Sequence, residues 1–381
     1  MNTYPMFSRP ASVSRNTENL SAPVIWLETA TMGCLFVFAA FAPHSIAVTQ
    51  TAWLLGVLFW LVRFAFYPRP RVFRTPVDYP LIGFFILTGI SAFLSYEPLV
   101  SIGKLRAASL ATIVYLFSQN IPSRRTVRSL AITLVVSAAV GVLYTAGERI
   151  VGRGIKLGNV AESSPLSAAV WRQTKDTVPL AIKSGDTVLE VDGRVVRDLD
   201  EFANALNAGR DVARVKIFRA EWIAILDVPR GRLLPGSPPE QRLGISGWTR
   251  GRDWRATGFF GLYVSYAEAL QLILALAVAM FVSLPNKRSW IGGGLLLAIA
   301  ALGFGLVLTF TRASWLAFLV STGVILLLSA GRRAILVASL LAIPLILAGL
   351  FILQKQRRVG FLDRTDQSTT WRVTVWREGY D

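Results

Sequence analysis

The sequence predicts a polytopic α-helical membrane protein with one small α/β domain inserted between its helices. The chain has 381 residues, of which 53% are hydrophobic, and its mean hydropathy is +0.50. Apolar runs of about 20 residues, the length that crosses a bilayer, recur along it. Only helices and closed barrels satisfy their backbone polar groups in lipid, so we expect these runs to be transmembrane helices. The segment 147–257 is charged and has no run of that length, which predicts the inserted domain.

Nine transmembrane helices are expected, five before the insert and four after it. The first follows a polar tail and has too long an apolar run for a cleaved signal peptide, which predicts an uncleaved anchor. The predicted order is a cytoplasmic disordered tail (1–21), helices one to five (22–146), the insert (147–257), helices six to nine (258–353) and an outer loop (354–381). The helices are predicted at 24–41, 46–66, 80–96, 100–118, 130–146, 258–284, 290–310, 313–330 and 334–353.

The basic residues of the loops indicate the orientation. Arginine and lysine cluster in four short loops that alternate with weakly charged connections, and such clusters favour the cytoplasmic side. This pattern predicts a cytoplasmic amino terminus and an extracytoplasmic insert in a bacterial inner membrane. The clusters are Arg69, Arg71 and Arg74; Arg124, Arg125 and Arg128; Lys287 and Arg288; and Arg332 and Arg333.

Charge and composition exclude several functions. These loops account for much of the net charge of +17, and no binding motif accompanies the charge, so we expect no nucleic-acid partner. His44 is the single histidine, which excludes a zinc protease with a His-Glu-x-x-His helix. A rhomboid-type serine protease is not indicated, because His44 has no nearby Gly-x-Ser sequence. Cys34 is the single cysteine, so no internal disulfide forms. We expect no cofactor and no metal.

Strand and turn signals alternate within the insert. Asp192-Gly193 is a two-residue hairpin signal, and Asp198 can cap a short amphipathic helix. Apolar residues at every second position from 213 to 217 predict a half-buried strand. The pattern resembles a PDZ domain of the bacterial envelope kind over about 157–229. Such domains bind an extended peptide beside a strand and a helix, so the insert is either a module for an envelope peptide or a spacer.

Cationic side chains gather on the predicted outer face of the membrane. Three arginines precede the sixth helix, one lies in the hairpin between the seventh and eighth, and two cations begin the fourth. A cation within an apolar span costs about 2.5–3.5 kcal/mol. Because so many cations on the translocated side also run against the usual charge bias, this set predicts an anionic ligand there. The alternative is that the two cations of the fourth helix reach the interface with their long side chains. The six residues are Lys104, Arg106, Arg250, Arg252, Arg255 and Arg312.

Two carboxylates fall within predicted helices. Glu268, about ten residues into the sixth, would lie roughly 15 Å below the helix start. Because an ionised carboxylate is costly at that depth, we expect Glu268 to pair with a buried arginine. Glu28, in the first helix, is either paired or protonated.

Three motifs, in order, resemble the O-antigen ligase and polymerase family of bacterial envelope enzymes. They are Arg255-Ala-Thr-Gly-Phe-Phe before the sixth helix, Thr311-Arg-Ala-Ser-Trp-Leu-Ala after the seventh, and Trp371-Arg-Val-Thr-Val-Trp-Arg after the ninth. The resemblance covers about 255–376.

This resemblance implies a GT-C-type helical membrane fold and a glycosyltransferase that needs neither a nucleotide sugar nor a metal. The implied donor is an undecaprenyl-pyrophosphate-linked glycan, and the implied acceptor is a lipid or another glycan. The catalytic residues would be Arg255, Arg312 and Arg372, which stabilise the departing pyrophosphate. Apart from the resemblance, the candidates for substrate binding are Lys104 and Arg106, on their depth alone, with Arg250, Arg252 and Glu268.

In one respect the sequence departs from the family. Its ligases carry a histidine, thought to activate the acceptor hydroxyl, in the outer loop after the helix that corresponds to 334–353. Here His44 lies in another hairpin, where we interpret it as an ordinary loop residue, and Asp381 falls early in that loop. We expect a partial sequence or a degenerate member, and favour the first. The remaining candidates for a general base are Glu97, Asp363 and Asp366.

Two other functions stay open at the level of the sequence. A non-enzymatic membrane scaffold would recruit an envelope partner through the PDZ-like insert, and would tolerate loss of Arg255. A transporter of a lipid-linked anion would use Glu268 as its coupling site.

Overall fold

The computed structural model describes residues 21–70, 72, 74–172, 177–209, 211–219, 222–236, 238–252, 255–329 and 367–378. Its helices are α1 (Ala22–Phe41), α2 (Ile46–Val62), α3 (Asp78–Phe93), α4 (Pro98–Ala108), α5 (Ile113–Asn120), α6 (Arg124–Val151), α7 (Leu199–Asn207), α8 (Pro239–Leu243), α9 (Tyr263–Val282), α10 (Trp290–Leu308), α11 (Arg312–Ser329) and α12 (Gln367–Glu378).

Six helices in the described ranges are long and apolar enough to cross a membrane, so the chain is a polytopic helical membrane protein. They are α1, α2 with its continuation to Ala65, α6, α9, α10 and α11. These correspond to the expected helices one, two, five, six, seven and eight. The third, α3, is apolar but has only 16 residues. The ninth, 334–353, lies outside the described residues, and the total of nine stays a prediction.

The fourth expected helix, 100–118, is interrupted. α4 ends at Ala108, a 3₁₀ turn covers Ser109–Thr112, and α5 begins at Ile113. In the turn, the Thr112 hydroxyl donates to the Ser109 carbonyl at 2.6 Å. Hydroxyl side chains compete in this way with the regular helical hydrogen bonds. The prediction of one continuous helix was wrong because hydropathy does not register that competition.

α6 is the central helix of the bundle. Ser123 caps it by accepting a hydrogen bond from the Thr126 amide at 3.2 Å, so the helix begins in the basic segment that the sequence suggested was a loop. One side of α6 contacts α1, and another contacts α9 and α10. α10 lies so close that a Cβ added to Gly305 would be 2.6 Å from Val142 Cγ2. α6 therefore joins the two halves of the helical core.

A buried ion pair joins α1 to the end of α2. Arg63 is only 4% exposed, and its Nε and Nη2 both lie 3.2 Å from Glu28 Oε1. Its Nη1 also donates to the Phe66 carbonyl at 2.9 Å. Of the two alternatives for Glu28, the structure therefore shows pairing.

The insert is an antiparallel sheet with a helix against it. The strand order is β3-β2-β7-β6-β4-β1-β8, and β5 pairs with β4. Side chains from the sheet and from α7 form one buried core, in which Phe202 and Ile217 are fully buried. The strands are β1 (Ile155–Val160), β2 (Val170–Arg172), β3 (Thr177–Pro179), β4 (Thr187–Val191), β5 (Arg194–Val195), β6 (Val212–Arg219), β7 (Trp222–Pro229) and β8 (Ile245–Arg250).

Several local predictions for the insert are confirmed. Asp192 (φ 51°) and Gly193 (φ 78°) form the hairpin turn between β4 and β5. Asp198 caps α7 by accepting from the Glu201 amide at 2.8 Å. The sheet, however, reaches beyond the expected 157–229, because β8 pairs with β1. The PDZ resemblance stays a prediction.

An ion pair connects the end of β6 to the turn that precedes β4. Arg219 Nε donates to Asp186 Oδ1 at 2.7 Å, and Asp186 is 2% exposed. This hydrogen bond raises the pKa of the Arg219 guanidinium in spite of its partial burial. The Arg219 guanidinium therefore stays charged at any physiological pH.

Two short arms connect the insert to the helices. The Arg153 amide donates to the Gly251 carbonyl at 2.8 Å, and the Gly251 amide donates to the Gly154 carbonyl at 3.3 Å. A Cβ at Gly251 would lie 2.4 Å from the Arg153 carbonyl oxygen, so no larger residue fits. The chain therefore enters and leaves the insert through two adjacent segments, which we call the neck (152–154 and 250–252).

The buried pair predicts a stability effect of a single substitution. Glu28→Ala leaves the Arg63 guanidinium without this carboxylate, which we expect to lower the free energy of unfolding by about 1–3 kcal/mol. The expected loss is below the 3–5 kcal/mol typical of a fully buried pair, because the Glu28 side chain is 37% exposed. Thermal unfolding in detergent measures the effect. Glu97→Ala, at an exposed carboxylate of the α3–α4 turn, is the control, and an equal melting temperature for both variants would contradict the prediction.

Candidate functional site

The candidate site lies at the end of the helical bundle that carries the insert. Three elements meet there: the last turns of α6, the segment 255–261 that precedes α9, and the α10–α11 turn with the first residue of α11 (309–312). Each of them contributes an arginine, so we describe them in turn.

A main-chain hydrogen bond ties the segment 255–261 to the end of α10. The Ala256 amide donates to the Leu308 carbonyl at 3.0 Å, and Ala256 is 1% exposed. Residues about 50 positions apart in the chain are thereby held in contact. Arg255 precedes Ala256, and Arg312 follows Leu308 by one short turn, so the two predicted arginines lie on adjoining backbone segments.

The α10–α11 turn is fixed by side chains that bond to its own backbone. The fully buried Thr309 hydroxyl donates to the Leu306 carbonyl at 2.7 Å, and Trp315 Nε1 donates to the same carbonyl at 2.9 Å. Phe310 adopts φ 51°, a left-handed conformation that bulky residues rarely take. The turn is therefore held in a specific and costly shape, which is common at functional sites.

Arg255 is half-buried and lies over an aromatic ring. Its Cζ is 4.4 Å from the centroid of the Tyr263 ring, at the start of α9. A guanidinium stacked in this way keeps its planar edge available for hydrogen bonds.

Arg312 is the first residue of α11 and is half-buried. The amino-terminal end of a helix carries a partial positive charge and unsatisfied amide groups. An anion near Arg312 would interact favourably with both the guanidinium and the helix end.

Arg149 is a third cation of this site that sequence reasoning missed. It lies in the last turn of α6, and its Cζ is 5.6 Å from the centroid of the Phe310 ring. The expected end of this helix at 146 had placed it in the insert. In the sequence, Gly152 could have indicated a later end for this helix. In the structure, Gly152 ends the helix with a φ of 84°, about one turn after residue 146.

Aromatic rings support the segment 255–261 from the other side. The Phe259 ring stacks on Tyr144 of α6, with centroids 4.5 Å apart, and meets His44 edge-on at 5.0 Å. His44 Nε2 lies 2.8 Å from the Ser137 hydroxyl and 3.0 Å from the Ser137 carbonyl. His44 is thus a packing residue that holds the α1–α2 hairpin against α6, rather than a simple loop residue.

A carboxylate accompanies the arginines. Glu148 immediately precedes Arg149 and accepts a hydrogen bond from the Tyr144 hydroxyl at 3.1 Å. The site therefore offers cations for an anionic group and one acceptor for a proton.

Gly258 allows the segment to pass close to α9. Its φ is 51°, and an added Cβ would lie 2.6 Å from the Tyr266 ring. Tyr266 is 2% exposed, and its hydroxyl lies 3.3 Å from the buried Thr145 hydroxyl of α6. The glycine and the buried tyrosine together set the height of Arg255 above the bundle.

The other predicted site residues are not all brought together. Arg250 ends β8 and Arg252 is exposed, so both belong to the neck. Lys104 and Arg106 lie in α4, and Arg372 lies in α12; for these three the structure describes the backbone alone. Their part in the site stays a prediction.

The expected depth of Glu268 was wrong, while its pairing with an arginine outside the described residues stays a prediction. α9 begins at Tyr263 rather than at 258, so Glu268 is its sixth residue and lies about 7.5 Å from the helix start. It is exposed on the helix face that also carries Leu272, 64% exposed, and it forms no ion pair with any described residue. The glycine-containing turn at 258–261 moves the start of α9 from 258 to Tyr263, and hydropathy alone does not show this shift.

Residues 297–381 match the family model described as O-antigen ligase. The match includes most of α10, all of α11 and α12, and it contains Arg312 and Arg372. Arg255 and the insert lie before it. The family resemblance is thereby confirmed, together with a ligase- or polymerase-like membrane enzyme in general terms. No curated protein matches the chain.

Two neighbouring glycines provide a test of the segment's geometry. Gly258 and Gly261 both have positive φ, 51° and 70°, so alanine at either costs about 1 kcal/mol in backbone conformation. An alanine Cβ at 258 would also collide with the Tyr266 ring, whereas a Cβ at 261 would have no neighbouring atom within 4 Å. We expect Gly258→Ala to lose about 1–3 kcal/mol more than Gly261→Ala in thermal unfolding. Equal losses would show that the close approach does not matter.

Proposed function

We propose that the chain, whose residues 297–381 match the O-antigen ligase family model, is a membrane glycosyltransferase. It moves a glycan from an undecaprenyl-pyrophosphate carrier to a lipid or glycan acceptor. The reaction takes place at the outer face of a bacterial inner membrane, with the amino terminus in the cytoplasm. The conclusion depends most on the meeting of Arg255 and Arg312 through the Ala256–Leu308 hydrogen bond.

The chemistry of the transfer explains why arginines are needed. The acceptor hydroxyl attacks the anomeric carbon of the glycan, and the bond from that carbon to the phosphate oxygen breaks. The electron pair of this bond passes to the pyrophosphate, and the hydroxyl proton passes to a base. Negative charge therefore grows on the pyrophosphate in the transition state, where positioned donors stabilise it.

The arginines of the site suit that role. A guanidinium presents several N–H groups in a planar fork that matches two phosphate oxygens, and it stays charged at any physiological pH. Arg255, Arg312 and Arg149 come from three different elements, so they can approach a diphosphate from several sides. By the family resemblance Arg372 is a further member. Lys104, Arg106, Arg250 and Arg252 stay candidates for binding the rest of the donor.

The position of Glu268 does not favour the transporter alternative. A coupling carboxylate is expected inside the bundle or in a cavity, whereas Glu268 lies near the end of α9 on its exposed face. We therefore withdraw it from the substrate-binding set.

Arg255→Ala and Arg312→Ala test the proposal. We expect each to lower glycan transfer about 100- to 1,000-fold, the usual effect of removing one donor to a developing charge. Arg255→Lys should recover only part of the activity, because lysine lacks the fork. The measurement is surface glycan in a knockout strain complemented with each variant, with protein levels and melting temperatures compared. Arg288→Ala, at an exposed arginine before α10, is the control, and full rescue by Arg255→Ala would exclude the arginine mechanism.

Removal of the insert separates the transferase from the scaffold alternative. A cut at 157 and 229 would leave β8 without β1, so the better deletion removes 155–250 and joins Gly154 to Gly251 through Asn-Gly. These two glycines are already hydrogen-bonded as the ends of such a turn. This deletion also removes the binding candidate Arg250, so we expect the shortened protein to keep a measurable part of its transfer activity rather than all of it. The scaffold alternative predicts complete loss of function, together with full function of Arg255→Ala.

A further inference from the structure

One face of the insert's sheet carries an exposed apolar strip. Along β6 and β7, alternate residues are buried in the insert's core, and the others lie on the opposite face. Phe218 pairs with Ile223 across the two strands, and Ile225 is the next residue of β7 on the same face. Ile223 is 46% exposed and Ile225 is 55% exposed. We call these three residues the apolar strip.

The strip is continuous with the core of the helical bundle. Phe218 packs against the buried cluster formed by α6, α9 and α10, whereas its partner Ile223 reaches beyond that cluster. Phe218 therefore lies against the end of the bundle that carries the insert. A lipid surface around the sides of the helices would then extend towards Ile223.

Charged side chains border the strip on this face. Lys216 donates to Glu190 Oε1 at 3.0 Å, and Arg153 Nη2 lies 4.0 Å from the same oxygen. Two cations therefore share one carboxylate beside the strip, which does not suit a basic protein as its partner. An apolar strip bordered by cations suits the boundary between anionic headgroups and acyl chains.

We propose that the apolar strip rests on the lipid surface beside the helical bundle, with the side chains of Ile223 and Ile225 in the interfacial layer. Consecutive strand residues rise about 3.3 Å, so Ile225 lies at most about 7 Å farther from the bundle than Ile223. The interfacial layer of one leaflet is about 5–8 Å thick, which accommodates both. This contact fixes the tilt of the insert, and with it the height of the neck arginines.

Lipid-borne quenching tests the proposal on the full-length protein in nanodiscs. Cys34→Ala removes the single cysteine, and then Ile223→Cys or Ile225→Cys receives a bimane label. Asn204→Cys is the matched control, because Asn204 is exposed on α7, on the other face of the sheet. The nanodiscs contain phosphatidylethanolamine and phosphatidylglycerol, with a spin label on the lipid headgroup or near the top of the acyl chain.

We expect the shallow acyl quencher to reduce bimane emission at 223 and 225 several-fold more than at 204, with emission shifted to the blue. Equal quenching at all three sites would overturn the proposal. Blue-shifted emission at 223 and 225 without lipid quenching would also overturn it, because another protein surface or a second copy would then cover the strip. The readout is position rather than glycan transfer, so it holds whether or not the proposed function is correct.

Discussion

The hydrogen bond from the Ala256 amide to the Leu308 carbonyl is the contact on which the candidate site depends. It joins the segment that leaves the insert to the turn between two transmembrane helices. The bond is buried, and its loss would leave two polar backbone groups unsatisfied in a low-dielectric setting. It places the backbone segments that carry Arg255 and Arg312 next to each other. Because the contact is made by main-chain atoms, it does not restrict which side chains occupy positions 255 and 312.

The sequence predicted the membrane helices and much of the insert for clear physical reasons. Apolar length identified six helices, and turn chemistry located the Asp192-Gly193 hairpin and the Asp198 cap. Arg255 and Arg312 were selected through the family resemblance of the motifs that contain them. Where it failed, short-range geometry was the cause. The glycine turn at 258–261 moved the start of α9, which overturned the expectation for Glu268, and the hydroxyls of the Ser109–Thr112 turn broke the fourth helix.

Contacts between distant segments were beyond sequence reasoning altogether. Arg149 became part of the site only because the α10–α11 turn places Phe310 beside it. His44 is similar, since nothing in its hairpin predicts that Ser137 and Phe259 surround it. The insert shows the same limit. Its strands follow the alternation of the sequence, but the pairing of β8 with β1, which makes entry and exit adjacent, depends on residues about 90 positions apart.

The central claim is that the outer arginines hold a lipid diphosphate while its glycan departs. The most direct test is a cryo-electron microscopy structure of the full-length protein in nanodiscs with undecaprenyl pyrophosphate added. The account predicts density for the diphosphate within hydrogen-bond distance of both the Arg255 and Arg312 guanidinium groups. Density at a separate place, or guanidinium groups that point apart into the acyl chains, would contradict it.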